Sequence, residues 1–151
     1  MSDAPSHDDS SAATSAIVET VRVSRPARDQ LVTLKRRTGI ENWNVLCRWA
    51  LCVSLAEPSP VRNRRIAADG PIEMSWRTFG GSNAEVYAAL VRERCRRDGL
   101  ASDGPTAAQQ FRLHLHRGIA YLAGDVKLRQ LADLLNYLQS DDNYAGVSVA
   151  S

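Results

Sequence analysis

Four side chains in this sequence of 151 residues are of the kinds that bind metals or exchange electrons: Cys47 and Cys52, five residues apart, and His114 and His116, two apart. A tetrahedral site needs ligands that converge on one ion. On a regular helix, residues five apart point about 140° from each other, so Cys47 and Cys52 cannot share a metal. The two histidines face nearly opposite ways on a helix and would share a face only on a strand. With Cys95 there are three thiols, an odd number that cannot all pair within one chain. The expectation is reduced thiols, mostly in the core, with no metal, no cofactor and no disulfide framework, in a cytoplasmic protein.

Other chemistries find no better footing. The stretch RTFGGSNAE has adjacent glycines but lacks the Lys-Ser/Thr ending and the preceding apolar strand of a phosphate loop. GxSxG and HExxH are absent, and no pair of acids stands in an apolar setting. Nothing reads as an active site, and the expectation is a protein that is not an enzyme. In LHLHRG, a helix over 106–117 would bury Ala108, Phe111 and Leu115 and leave His114 at the margin of that stripe. Gln109, Arg112 and His116 would form a solvated polar face, with His114 half-buried and bonded to backbone. The functional option for that face is contact with a partner subunit or a phosphate.

Charge carries a stronger signal. The net charge is only +2, yet residues 1–21 sum to −4 and residues 22–65 to +7, with ten bases against three acids. Residues 66–139 are near balance and 140–151 sum to −2. A basic segment in a near-neutral chain is the electrostatic footprint of a polyanion partner. Arg22, Arg25, Arg28, Lys35, Arg36 and Arg37 fall within sixteen residues. If about six such cations meet phosphates, log affinity against log salt should slope at about −5, from roughly 0.9 per neutralised phosphate.

The elements that would position these cations follow from periodicity and punctuation. TVRVS alternates Val21 and Val23 against Arg22, a short strand. Ser24 as N-cap, Pro26 in the first turn and Gly39 as stop predict a helix over 25–38, burying Ala27, Leu31, Leu34 and Thr38. Arg25, Arg28, Lys35 and Arg36 then cluster on another flank. A second helix, 42–57, ends before Pro58. Its main stripe is Trp43, Leu46, Cys47, Ala50, Val53 and Ser54, but Val45, Trp49, Cys52 and Leu55 make it apolar nearly all round. Such a helix is enclosed by its own domain or by another subunit.

Residues 58–71 form a loop carrying Arg62, Arg64 and Arg65, and IEMSW is a short strand or an extended loop. Ser82 with Glu85 predicts a capped helix that stops at Gly99, and Thr106 with Gln109 another that stops at Gly118. A last helix starts near Asp125 with Val126, Leu131, Leu134, Leu135 and Leu138 inward. The fold class is mainly α: a compact helical domain with a short N-terminal strand, two helices in a ribbon-helix-helix-like start, and three further helices. Residues 1–16 are expected to be a disordered acidic tail, 17–139 a single helical DNA-binding domain, and 140–151 a flexible tail. No apolar run spans a bilayer and the N-terminus is no signal peptide, so no membrane role is expected.

Several runs together carry a resemblance. DQLVTLKRRTGIENWNVLCRWALCVSLAEP, then MSWRTFGGSNAEVYAAL, RCRRDGL and AQQFRLHLHRGIAYLAG, resemble in order the DndE family of DNA sulfur-modification proteins over about residues 21–124. The resemblance implies a small helical, non-enzymatic member of the phosphorothioation machinery, in which sulfur replaces a non-bridging phosphate oxygen. It implies binding to DNA, nicked duplex included, and assembly as a homo-oligomer, a tetramer. It leaves the sulfur chemistry to partners: a cysteine desulfurase, an iron–sulfur protein and an ATPase. By position it puts the DNA-binding surface on Lys35, Arg36 and Arg37 of LKRRTG, extended by Arg22, Arg25 and Arg28. The alternatives are a ribbon-helix-helix repressor, paired through Val21/Val23 strands and reading bases with Arg22, and a purely structural subunit.

Overall fold

The computed structural model describes residues 16–125, 130 and 132–136. Strand β1 (Thr20–Arg22) is followed by helices α1 (Arg25–Thr38) and α2 (Trp43–Ala56). Strand β2 (Glu73–Ser75) leads into the short helix α3 (Trp76–Gly80) and, through a 3₁₀ turn at Gly81–Asn83, into α4 (Ala84–Arg97). The long helix α5 (Gly104–Gly124) completes the domain, and residues 132–136 are helical. Mainly α, with a strand and two helices at its start, is what the sequence predicts. None of the described helices is long and apolar enough to cross a membrane.

The start of the chain follows its local signals closely. Ser24 Oγ accepts from the Ala27 N–H at 3.2 Å, and Gly39 closes α1 in the left-handed conformation, φ 74°, donating its N–H to the Lys35 carbonyl. Ala27, Leu31, Leu34 and Thr38 are buried as the periodicity requires. Where the repressor alternative needs β1 to pair with a second copy, β1 here pairs antiparallel with β2 of its own chain, Val21 opposite Met74 and Arg22 opposite Glu73. The ribbon of that alternative is therefore closed within one molecule.

The centre of the core is the packing of α2 on α5, the most extensive helix contact in the domain. Leu46, Cys47, Ala50, Leu51 and Ser54 of α2 are buried, while Val45, Trp49, Val53 and Leu55 are only half-buried and Cys52 is exposed. The second helix is thus enclosed on one side by its own domain. Beside it, Trp76 and Phe79 of α3 meet Phe111 of α5 with ring centroids 5.3 and 5.2 Å apart, both edge-on.

Three expected boundaries move, each for a physical reason. Ser82 and Glu85 do not cap α4: a cap residue needs extended backbone, and 81–83 are wound into the 3₁₀ turn, leaving Asn83 as N-cap without a side-chain bond. Likewise α5 begins two residues before Thr106, because Asp103 is its N-cap and accepts the Thr106 N–H at 2.8 Å. Nor does α5 stop at Gly118. A Cβ there would lie 1.7 Å from the Ala50 carbonyl oxygen, so this glycine lets two helix backbones touch rather than ending one of them. Of the last predicted stripe, Leu134 is buried but Leu135 is 51% exposed, and Val126, Leu131 and Leu138 lie outside the described residues.

The end of α2 is held by two arginines. Arg94 of α4 donates to the carbonyls of Leu55, Glu57, Pro58 and Ser59 at 2.7–3.1 Å. Arg117 of α5 donates to those of Ser54 and Ser59, each at 2.7 Å. Helix C-termini leave their last carbonyls without intrahelical donors and carry partial negative charge, and these guanidiniums satisfy both. Asp98 balances the buried Arg94 at 3.0 Å.

The Gly118 contact generates a direct test. Gly118→Ala should destabilise the domain by about 3 kcal/mol or more in denaturant unfolding, because the obstacle is backbone that cannot rotate away. Gly104→Ala, at a position with open space around it, should stay within about 0.5 kcal/mol of the parent.

Candidate nucleic-acid interface

The six cations predicted to face DNA fall into two sets. Arg22 forms an ion pair with Glu73, its cross-strand neighbour. Arg25 engages Asp69 through its backbone N–H at 3.1 Å and its guanidinium Nε at 3.9 Å, and Arg28 pairs with Asp29 at 3.3 Å. These pairs are exposed, so each is worth at most about 1 kcal/mol, but they offset the local positive field. The second set is the last turn of α1, Lys35, Arg36 and Arg37. None of the three has a carboxylate partner among the described residues.

Local structure fixes where these three point. Lys35 Nζ lies 4.8 Å from the centre of the Trp43 ring, a cation–π contact made possible by the tight α1–α2 turn at Gly39. Arg36 is exposed. Arg37 leaves that flank and donates from its Nη1 to the Ala123 carbonyl, 3.0 Å away near the end of α5. Positive charge in a last turn also suits the negative end of the helix dipole. The fold thus keeps Arg28, Lys35 and Arg36 toward one side of α1 and sends Arg37 to the other.

A second basic group was named in the sequence but left out of the predicted DNA-binding set. The loop arginines Arg62, Arg64 and Arg65 are exposed, and Gln109 of α5 donates to the Arg64 carbonyl at 3.2 Å, placing Arg64 and Arg65 beside Arg112. One signal was available: no acid interrupts the chain between Glu57 and Asp69. Arg112, some fifty residues on, could not be joined to them without the fold.

The histidines sit deeper than expected. His116 is not on a solvated face: its Nε2 accepts the Ser24 N–H at 3.1 Å and its Nδ1 donates to the Arg112 carbonyl at 2.8 Å. Those two bonds define a neutral ring protonated at Nδ1. His114 is fully buried rather than half-buried, with Ser54 Oγ at 2.8 Å from its Nδ1. Arg117 Nε donates to the same hydroxyl oxygen at 2.8 Å, so Ser54 is shared between the imidazole and the guanidinium. The Nε2 of His114 has no hydrogen-bond partner among the described residues.

The cysteines behave as their spacing predicts. Cys47 is buried and Cys52 exposed, on different sides of α2, and Cys95 is buried. Burial pushes the Cys47 thiol up to about 12, far from a thiolate at neutral pH. Among the described residues, no three His, Cys, Asp or Glu side chains converge as a metal site.

With this geometry in view, similarity decides the family. The family model for the DNA sulphur modification protein DndE matches residues 20–130. The chain belongs to the DndE family. Two solved DndE structures share its fold. DndE from Escherichia coli B7A, involved in DNA phosphorothioation modification, is 22% identical over 70% of this chain and 96% of its own, with a TM-score of 0.58. A glycine-to-lysine mutant DndE involved in DNA phosphorothioation is 20% identical over 71% and 98%, with a TM-score of 0.55. No curated protein matches the chain. The matched segment covers both basic groups and every element from β1 to α5.

The buried imidazoles give a pH prediction. Burial, then the charges of Arg117 and Arg94, lower His114 from 6.5 to about 4, and burial also lowers His116. The unfolded chain gains protons on these rings below about pH 6.5, whereas folded His114 gains none until about pH 4. Their contribution to stability is therefore complete above about pH 6.5 and is lost as pH falls across that window. Unfolding free energy measured from pH 7 to 4 should fall by up to about 1.4 kcal/mol per pH unit for each ring. His114→Gln should flatten that fall, and an unchanged slope would show that folded His114 is charged.

Proposed function

We propose that this chain is a non-enzymatic DNA-binding subunit of the phosphorothioation machinery, holding duplex DNA, intact or nicked, by its phosphates while partner proteins carry out the sulfur chemistry. The observation that carries the reading is the last turn of α1, where Lys35 and Arg36 stand on one flank and Arg37 on the other, none of them with a carboxylate partner among the described residues. Cations held on a packed helix can replace counterions along a sugar–phosphate chain without first breaking ion pairs. Contacts of this kind position a protein on DNA and read no bases. Arg22, Arg25 and Arg28 extend the surface, exchanging their exposed carboxylate partners for phosphates.

Membership of the DndE family supplies the context. The desulfurase, iron–sulfur protein and ATPase are the partners of this reading, and the cytoplasm is its compartment. A homo-oligomer, in the form of a tetramer, fits the outer surface. Val86 and Leu90 of α4 stand 54% and 44% exposed, and the outer side of α2 is only half covered. Exposed apolar side chains gathered on one region mark interaction surfaces.

Binding to a short duplex across a salt series tests the reading. Changing Lys35, Arg36 and Arg37 together to Ala should reduce the magnitude of the log–log salt slope by roughly 1.8, at about 0.9 for each of Lys35 and Arg36 on the outer flank, with little change in sequence preference. Unaltered affinity at low salt would remove this turn from the interface.

A further inference from the structure

The loop joining α2 to β2 is irregular in backbone yet pinned along its length. At its start the carbonyls of Pro58 and Ser59 accept from Arg94 and Arg117. At its end Asp69 accepts the Arg25 N–H, and the Gly70 N–H donates to the Val23 carbonyl at 3.0 Å. Midway, Gln109 of α5 donates to the carbonyl of Arg64 itself. A pinned loop presents its side chains from a fixed position, as a helix does.

What it presents is positive. Arg64 and Arg65 of the loop and Arg112 of α5 line an open groove of about 590 Å³ together with Gln109. None of these three arginines has a carboxylate partner among the described residues. Like charges gathered around one groove repel one another, and the backbone anchors hold them there against that repulsion. A bound anion relieves it. Guanidinium forks match the oxygens of a phosphate in pairs, which a point-charge ammonium cannot do.

The groove also adjoins α1. His116, one turn beyond Arg112, bonds the Arg112 carbonyl on one side and the Ser24 N–H on the other, so the wall of the groove continues into the start of α1. Arg25 follows there, with its side chain 77% exposed. A chain of phosphates lying in the groove could run on along this helix.

We propose that the groove between the 63–68 loop and α5 is a phosphate-binding site for the nucleic-acid backbone, distinct from the last turn of α1. The proposal rests on the DNA-binding reading above and adds a second seat for the same strand or duplex. The ligand is a phosphodiester within a polyanion rather than a free nucleotide, because the groove lining contains no aromatic ring to stack a base and no carboxylate to hold sugar hydroxyls. A site so open to water holds an isolated phosphate poorly, whereas a polyanion gains from counterion release at several cations together.

The test compares the parent with Arg64→Ala/Arg65→Ala/Arg112→Ala and with the matching triple lysine variant, using anisotropy of a labelled duplex over a salt series. The alanine variant should lose about tenfold or more in affinity at low salt, and its salt slope should shrink by roughly 2 to 3. The lysine variant should keep the slope while losing part of the affinity. All three positions are exposed, so thermal midpoints should coincide, and the single reversal Arg112→Glu gives the same reading with one change. Parent-like binding by the alanine variant, while the Lys35/Arg36/Arg37 variant is impaired, overturns the groove and leaves the DNA-binding reading standing. A parent protein that binds no duplex overturns both. Pyrophosphate that binds as tightly as DNA in calorimetry makes the groove a small-anion site and overturns the backbone assignment.

Discussion

The carbonyl oxygen of Ala50 occupies the place where a side chain on residue 118 would have to sit, and the rest of the domain is arranged around that contact. Two helices this close cannot be separated by ordinary side chains, so their relative position is fixed by backbone rather than by deformable packing. Ser54, one turn beyond Ala50, meets His114, one turn before Gly118, and Arg117, the neighbour of Gly118. The α2 C-terminus is thereby fixed, and with it the start of the arginine-bearing loop. On the other side of α5, Arg37 reaches its Ala123 carbonyl and His116 takes the Ser24 N–H, so α1 is tied to the same helix at both ends. The orientation of the basic surface descends from one glycine.

Arginine has two different uses in this molecule, and they follow from what each guanidinium meets. Arg94 and Arg117 are turned inward onto backbone carbonyls, where five donors in a rigid fork can satisfy several acceptors together. A lysine in either place would lack the geometry. These two are part of the fold and cannot serve a ligand. Arg36, Arg64, Arg65 and Arg112 are turned outward, into water. The abundance of arginine over lysine therefore has a structural component at the two inward positions, which composition alone could not separate from coding bias.

How far the sequence could be read depended on whether a feature was settled by its near neighbours. Helix α1 was legible throughout, because Ser24, Pro26 and Gly39 act within a turn of where they stand. The alternation of Val21 with Val23 marked the first strand, whereas IEMSW was open between a strand and an extended loop, and nothing local says that the two segments pair with each other. Gly118 was misread as a stop because the same residue type serves to end a helix and to let another backbone approach, and the partner backbone is more than sixty residues away. His116 falls on the polar side of a helical wheel, yet the group it accepts from, the Ser24 N–H, is ninety-two positions earlier. The capping pattern at Ser82 failed for a related reason: helix α3, invisible in a five-residue stretch, had already wound the chain that a cap requires extended.

Charge shows the same limit most sharply. Counted along the chain, residues 22–65 carry an excess of seven positive charges, and the excess looks evenly useful. Folding brings Asp69 and Glu73, both just beyond that segment, onto Arg25 and Arg22, and Asp29 already stands beside Arg28. The field is thus offset at the start of α1, whereas the last turn of α1 and the Arg64–Arg65 loop have no carboxylate partners among the described residues. To the second of these the fold adds Arg112, from a segment whose own charge is near balance. A linear sum locates the acids and bases but not their partners, and a polyanion responds to what remains after pairing. The basic surface that stays unpaired is accordingly made by the tertiary structure, out of residues that the charge pattern alone would have weighted equally.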